Sequence, residues 1–257
     1  MIATGQLAFA EGWHVVRMNM RGVGDSEARC ARLYNAGLDT DVLAALDTLS
    51  RVAPRVALVG FSLGANLALL ALGRQAARLP VSVRGLAAVS PPVDLSACAD
   101  ALERPGNRFY QDYFVRGLRE AYRRKQRRNP DLFEEGRERG ARTVREFDER
   151  ITAPYGGYRS AAEYYERSSA GPWLAAIDRP TLLVAAADDP MIPSESVRRF
   201  AVPSSGVVRR EILRTGGHVG FVGRTRAPGR FWAAERAVDF LSAIVMSTPR
   251  PEPAPST

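Results

Sequence analysis

The sequence contains few of the residues that build metal centres or disulfide frameworks. Its 257 residues include two cysteines, Cys30 and Cys98, which lie far apart and outside any CxxC spacing. We interpret both as free thiols in a reducing compartment. The chain also has two histidines, His14 and His218, so no cluster predicts a metal site. We therefore expect the protein to function without a metal or another cofactor.

Long hydrophobic runs are also absent. No apolar stretch approaches the roughly 20 residues that a membrane-spanning helix requires. The first residues, M-I-A-T-G-Q-L-A-F-A-E-G, lack the basic region and apolar core of a signal peptide. The sequence therefore predicts a cytoplasmic protein without stable membrane insertion.

Lysine is almost missing from this basic sequence. Lys125 is the only lysine among 36 basic residues, and the arginines are spread along the whole chain, which has a net charge of +8. Such a charge suggests nucleic-acid binding, but no basic helix face or nucleic-acid-binding motif accompanies it. We interpret the arginines as a compositional bias and expect no nucleic-acid partner.

The apolar residues follow the pattern of an α/β protein. Short apolar runs alternate with longer helical patterns, which predicts a mostly parallel sheet with helices on both faces. A hydrophobic content of 46% is ample for the core of one large domain. The predicted strands are 14–20, 56–60, 83–90, 181–187 and 207–213. One predicted helix begins at Asp39, and two others cover residues 66–79 and 231–245.

Residues 99–172 depart from this alternation. They combine charged helical stretches with more than half of the aromatic residues of the chain. An insertion between two strands of such a sheet lies above the carboxyl ends of the strands, where these folds bind ligands. We therefore assign residues 1–98 and 173–247 to a core and residues 99–172 to a helical cap. Most cap aromatics should fill the cap's own core, while some can line an apolar pocket. The proline-rich residues 248–257 are expected to be disordered.

A serine stands between two glycines where a predicted strand meets a predicted helix. The stretch G-F-S-L-G covers residues 60–64. Its context predicts a nucleophile elbow, a strained turn that presents the serine hydroxyl at the edge of the sheet. We expect that a Cβ atom at either Gly60 or Gly64 would collide with the turn. Ser62 is therefore the candidate nucleophile. The alternative is a tight turn in which the serine has no function.

A serine hydroxyl becomes a nucleophile when a base takes its proton and a third group holds the base. Asp188 and Asp189 follow one predicted strand, and His218 follows the next, which gives the order Ser, Asp, His. Gly217 and Gly220 should leave His218 free to swing toward the serine. The alternative for His218 is an ordinary surface histidine. His14 lies in a predicted strand and is interpreted as structural.

Five stretches together resemble the YheT-type alpha/beta hydrolases, a bacterial family related to the mammalian ABHD proteins that act on acyl esters and phospholipids. The resemblance extends from about Leu7 to Ile244. The stretches are R-G-V-G-D-S (21–26), G-F-S-L-G-A-N (60–66), S-P-P-V-D-L (90–95), A-A-D-D-P-M-I-P (186–193) and G-G-H-V-G-F (216–221).

The resemblance implies an alpha/beta-hydrolase fold and hydrolysis of a carboxylic ester, a small-molecule acyl ester or lipid-like substrate, through Ser62, His218 and Asp189. Asp189 is preferred because the triad acid of related hydrolases commonly precedes a proline by four positions, as Asp189 precedes Pro193. Asp188 remains the alternative. The resemblance also implies that the N–H of Leu63 contributes to the oxyanion hole.

The sequence departs from the family pattern at its beginning. Family members begin with some seventy residues that have no counterpart here, including three strands and an H-G-x-x-G-like loop that supplies a second oxyanion donor. Strand 14–20 would then lack its direct neighbour in the sheet. We therefore expect that the start lies upstream of Met1, and that residues 1–257 alone fold poorly and have little esterase activity.

Two further functions remain open at this point. An acyltransferase would use the same three residues and differ only in whether an alcohol outcompetes water for the acyl group. A truncated remnant that acts at most as a binding protein is the alternative from another class.

Overall fold

The computed structural model describes residues 1–247, and the predicted tail at 248–257 lies outside them. Within the described residues, the strands are β1 (Val56–Phe61), β2 (Val83–Val89), β3 (Thr181–Ala186) and β4 (Val208–Leu213). The helices are α1 (Ile2–Ala10), α2 (Asp39–Ser50), α3 (Leu63–Arg74), α4 (Leu95–Leu102), α5 (Arg108–Arg128), α6 (Val144–Phe147), α7 (Ala153–Gly156), α8 (Ala161–Ser168), α9 (Ser194–Arg199) and α10 (Trp232–Ser247).

The four strands form one parallel sheet in the order β1-β2-β3-β4. The strands end nearly level with one another, since Phe61 pairs with Val89 and Val89 pairs with Val184. Parallel strands bring their carboxyl ends to the same edge, so the segments that follow the four strands meet there.

Both faces of the central strands are buried, as a parallel sheet requires. Leu86 of β2 and Leu183 of β3 face one side, where residues of α2 and α3 pack against them. Their neighbours Ala87 and Leu182 face the other side and contact residues of α10. This two-sided burial explains why β2 and β3 are continuous apolar runs in the sequence.

The structure confirms four of the five predicted strands and overturns the fifth. Residues 14–20 belong to no strand, and most of their side chains are exposed. A strand is defined by a ladder of backbone hydrogen bonds to a neighbour. The β-favouring composition of Val15 and Val16 therefore does not suffice where no described strand lies alongside.

The predicted helices are present with shifted bounds. The helix predicted at 66–79 begins at Leu63 and ends at Arg74, and a short 3₁₀ turn, Ala76–Arg78, follows it. The helices that start at Asp39 and Trp232 lie where the periodicity places them. None of the helices within residues 1–247 combines the length and apolar content needed to cross a bilayer.

Between β2 and β3 the described chain contains helices and turns but no strand, and α4 to α8 lie in this part. Several of these helices begin at a capping side chain; for example, Ser160 accepts a hydrogen bond from the Glu163 amide at the start of α8. Tyr122, Phe133 and Phe147 form a buried cluster of their own. Four aromatic residues at the start of α5 are exposed instead, namely Phe109, Tyr110, Tyr113 and Phe114.

A buried carboxyl group lies in this helical part. Asp148 begins a π-helical turn, Asp148–Thr152, and accepts a hydrogen bond of 2.8 Å from the hydroxyl of Tyr165. Burial raises the pKa of Asp148 from 3.8 to about 6, although hydrogen bonds from Thr152 and Tyr165 and the nearby charge of Arg145 oppose the rise. The folded state therefore binds this proton more tightly than the unfolded chain does.

We predict that Asp148→Asn raises the free energy of unfolding at pH 7.5 by about 1–3 kcal/mol. The amide carries no charge to desolvate and keeps an oxygen for Tyr165. Because the raised pKa favours the folded wild type below about pH 4 and this contribution is lost as the pH rises through 6, the gain should fall to about a third of its value near pH 4.5.

Urea unfolding at the two pH values measures the effect, and Asp131→Asn, at an exposed position, is the matched control. A variant that is destabilised equally at both pH values would contradict the prediction.

Candidate active site

Ser62 occupies the turn between β1 and α3. Its backbone has φ 50° and ψ −125°, a conformation that is strained for a residue with a side chain. The Ser62 amide donates to Val89 O at 2.9 Å, which continues the β1–β2 pairing, and the Ser62 carbonyl accepts from Ala65 N at 2.9 Å. The strand and the helix thus hold the turn from both sides.

The two glycines beside Ser62 differ in what they permit. A Cβ atom at Gly60 would lie 2.5 Å from Ala65 Cα and 2.8 Å from Ala65 N. A Cβ atom at Gly64 would meet no atom within 4 Å. The expectation of a collision is therefore confirmed at Gly60 and wrong at Gly64, because Gly64 lies in the first turn of α3 and faces open space.

His218 lies beside Ser62. Its Nε2 atom is 2.8 Å from Ser62 Oγ, and its Nδ1 atom is 2.9 Å from Asp189 Oδ2. The structure thus brings together the three side chains that the sequence predicts as nucleophile, base and acid. When Nδ1–H donates to Asp189, the neutral ring presents the lone pair of Nε2 to the serine hydroxyl.

Asp188 and Asp189 make different contacts although they are neighbours. The Asp189 side chain is 1% exposed, and its Oδ1 accepts from Met191 N at 2.9 Å and Ile192 N at 3.0 Å. These bonds fix the carboxylate with its other oxygen toward His218. Asp188 Oδ1 instead accepts from the amides of Gly216 and Gly217, both at 2.9 Å. It binds the backbone of the histidine loop and not the ring.

The loop that carries His218 is held at further points. The hydroxyl of Ser90, which follows β2, donates to the carbonyl of His218. The amide of buried Phe221 donates to Gly216 O at 2.8 Å and closes the turn. A Cβ atom at Gly216 would lie 2.5 Å from the Phe221 ring. Loop glycines thus permit close packing, and the histidine is positioned rather than free to swing.

Ser90 is a site residue that the sequence reasoning does not identify. It is fully buried and has φ 48°, a second left-handed conformation at the end of a strand. Its place at the end of the predicted strand 83–90, directly before Pro91 and Pro92, was visible in the sequence. The contact with His218 was not, because the two residues are 128 positions apart.

The amide of Leu63 lies at the start of α3. Within residues 1–247, no backbone carbonyl accepts a hydrogen bond from it. The first amides of a helix have no partner within the helix and can bind a negative charge. His14 is exposed and makes none of these contacts. No cluster of His, Cys, Asp and Glu among the described residues could hold a metal ion.

Comparison with known proteins identifies the family of this chain. The family model for the alpha/beta hydrolase fold matches residues 5–225. The chain is 34% identical over 246 residues to the protein named "Putative esterase YheT" of Escherichia coli (strain K12). The match covers 93% of this chain and 71% of that protein. The protein belongs to the YheT-type alpha/beta hydrolases.

More distant relatives of this hydrolase include a monoacylglycerol lipase of Saccharomyces cerevisiae, which is 31% identical over 232 residues. That match covers 87% of this chain, and the chain spans about half (51%) of the lipase. Among solved structures, the Pyrococcus furiosus esterase Pf2001 has a TM-score of 0.57 and 17% identity, covering 95% of this chain and 76% of that chain. This structural likeness supports the fold alone.

The contrast between the two elbow glycines generates a prediction for this hydrolase. Gly60→Ala should lower the free energy of unfolding by about 1–3 kcal/mol, because its Cβ must displace the backbone of α3. Gly64→Ala should change it by less than about 1 kcal/mol, or stabilise the protein slightly, because alanine favours a helix.

Chemical denaturation of the two variants provides the comparison, each serving as the control for the other. Equal losses in both variants would show that the close contact at Gly60 does not constrain the turn.

Proposed function

We propose that the protein is a serine esterase that hydrolyses carboxylic esters through Ser62, His218 and Asp189. The observation that carries the proposal is the continuous hydrogen-bonded chain of Ser62 Oγ, the two ring nitrogens of His218 and Asp189 Oδ2, with distances of 2.8 and 2.9 Å. The names of the relatives, which include an esterase and a monoacylglycerol lipase, support an acyl ester as the substrate.

Acylation begins when His218 Nε2 accepts the proton of the Ser62 hydroxyl. The oxygen attacks the ester carbonyl, and a tetrahedral intermediate with a negatively charged oxygen forms. The amide of Leu63 donates to this oxygen at the positive end of α3. The intermediate then collapses, and the protonated histidine gives its proton to the departing alcohol.

Deacylation uses the same groups in reverse. A water molecule gives a proton to His218 and attacks the acyl-serine, and the second intermediate releases the carboxylic acid while Ser62 recovers its proton. Asp189 stabilises the imidazolium in both halves of the cycle. Its Oδ2 accepts a hydrogen bond from Nδ1–H of the ring, and its other oxygen stays bound to two backbone amides.

The first prediction of this proposal concerns the nucleophile. A fluorophosphonate probe should label the wild type at one site, and Ser62→Ala should abolish labelling, because the hydroxyl that His218 activates is gone. His218→Ala should reduce turnover of a p-nitrophenyl ester by about 10³-fold or more.

Mass spectrometry of the labelled protein locates the site. Ser205→Ala, which changes an exposed serine, is the control and should label like the wild type. Undiminished labelling of Ser62→Ala would refute the assignment.

The second prediction separates the two neighbouring aspartates. Asp189→Asn should lower kcat by about 10²–10⁴-fold, because an amide at this position favours the wrong tautomer of His218 and cannot stabilise its charge. Asp188→Asn should cost less than about tenfold, since its amide oxygen can still accept from Gly216 and Gly217.

Steady-state kinetics on one ester substrate, with circular dichroism as a check of folding, makes the comparison. A greater loss of kcat in Asp188→Asn than in Asp189→Asn would reverse the assignment of the acid.

A further inference from the structure

Lys125 is unusual in both composition and position. It is the only lysine among 36 basic residues, and it is 2% exposed. Arginine is the cation used everywhere else in this chain, which indicates that position 125 needs the compact ammonium group of lysine. A buried charge is costly unless polar partners compensate for it.

The hydrogen-bond partners of Lys125 compensate only in part for the cost of burying its charge. Its Nζ atom donates to Glu27 O at 2.9 Å and to Cys30 O, both of them backbone carbonyls. An ammonium group has three hydrogens, so these bonds leave one donor. Within residues 1–247, Lys125 forms no ion pair with a carboxylate. The side chain of Glu27 pairs with Arg124 and Arg128 instead.

Lys125 lines a cavity of about 140 Å³ between α5 and the segment that contains Gly22 and Gly24. Gly22 has φ 74°, and a Cβ atom there would lie 2.8 Å from Arg32 O and 3.3 Å from Lys125 Nζ, so a side chain at this position would crowd both the backbone and the ammonium group. Most of the other wall residues are apolar or aromatic: Val23, Leu33, Tyr34, Leu118, Tyr122 and Phe147. None of the three active-site side chains lines this cavity.

Charge and size restrict what this cavity can hold. Its charged wall residues are Lys125, Arg124 and Glu27, which is two cations and one carboxylate, and Arg124 already binds that carboxylate. The cavity therefore favours an anion. At about 30 Å³ for each water-sized group, the volume holds about five such groups, close to the roughly six non-hydrogen atoms of a four-carbon carboxylate. Apolar walls around a single ammonium group suit a short alkyl chain that ends in a carboxylate.

We infer that this cavity is a binding site for a short-chain carboxylate, of about the size of butyrate, whose charged end accepts the remaining donor of Lys125. The alkyl chain packs against the aromatic and aliphatic wall. The ligand would thereby link α5 to residues 22–30. The site is separate from Ser62 and does not depend on ester hydrolysis.

Butyrate is the probe that tests the inference, with 1-butanol as a neutral analogue and inorganic phosphate as a polar anion. Saturation-transfer NMR titrations of the full chain should show saturable butyrate binding, with a dissociation constant on the order of 1 mM or tighter. Neither 1-butanol nor phosphate should bind comparably. Binding should persist after a fluorophosphonate probe has blocked Ser62, which separates this site from binding of a product acid at the triad.

Two variants address the cavity by different routes. Lys125→Met removes the ammonium group, and Ala121→Leu fills space in the wall while the lysine is retained. Each should weaken butyrate binding at least tenfold. Arg127→Met is the matched control, since it removes an exposed charge from the same helix outside the cavity, and it should change the affinity less than twofold.

Several outcomes would overturn the inference. They are the absence of saturable binding to folded wild type, unchanged affinity in Lys125→Met or Ala121→Leu, loss of binding once Ser62 is blocked, and preference for phosphate or 1-butanol. If Lys125→Met does not fold, Ala121→Leu decides the question alone, because it keeps the lysine and alters only the volume of the cavity.

Discussion

The close approach of β1 and α3 at Gly60 and Ala65 is the contact on which the site depends. It leaves no room for a side chain at Gly60, and it allows the chain to pass through a left-handed conformation at Ser62. Because the Ser62 amide also bonds to β2, the hydroxyl is fixed relative to the sheet and not merely to its own loop. Strain of this kind persists where the surrounding structure over-determines the backbone, as it does here.

The parallel sheet positions every other group of the site. Ser62, Ser90, Asp188 with Asp189, and His218 come after β1, β2, β3 and β4 respectively, so four consecutive strand ends each contribute a contact. Two of these contacts act on the backbone of the histidine loop rather than on its ring. The geometry of the candidate site therefore depends on the spacing of all four strands, and not on β1 alone.

The sequence was informative where the signal was local. A strand, a glycine-flanked serine and a helix within one short stretch identify the elbow, and strand ends followed by Asp189 and His218 identify the remaining partners. The prediction of a strand at 14–20 was wrong because a strand needs a neighbouring strand to pair with, and residue propensity does not report whether one is present. The separate contacts of Asp188 and Asp189, and the bond from Ser90, are long-range and depend on how loops from different strands meet. No local pattern encodes them.

Three buried charged groups show how differently the protein compensates for lost hydration. Asp189 stays within reach of a histidine and two amides, so its carboxylate remains fully bonded. Asp148 has hydroxyl partners but no ion-pair partner within residues 1–247, and the rise of its pKa shows that burial favours the neutral acid. Lys125 follows neither route: two carbonyls bind it, no carboxylate of the described residues pairs with it, and a cavity lies beside it. A bound anion would compensate for its charge as Asp189 would compensate for that of protonated His218 in the proposed mechanism.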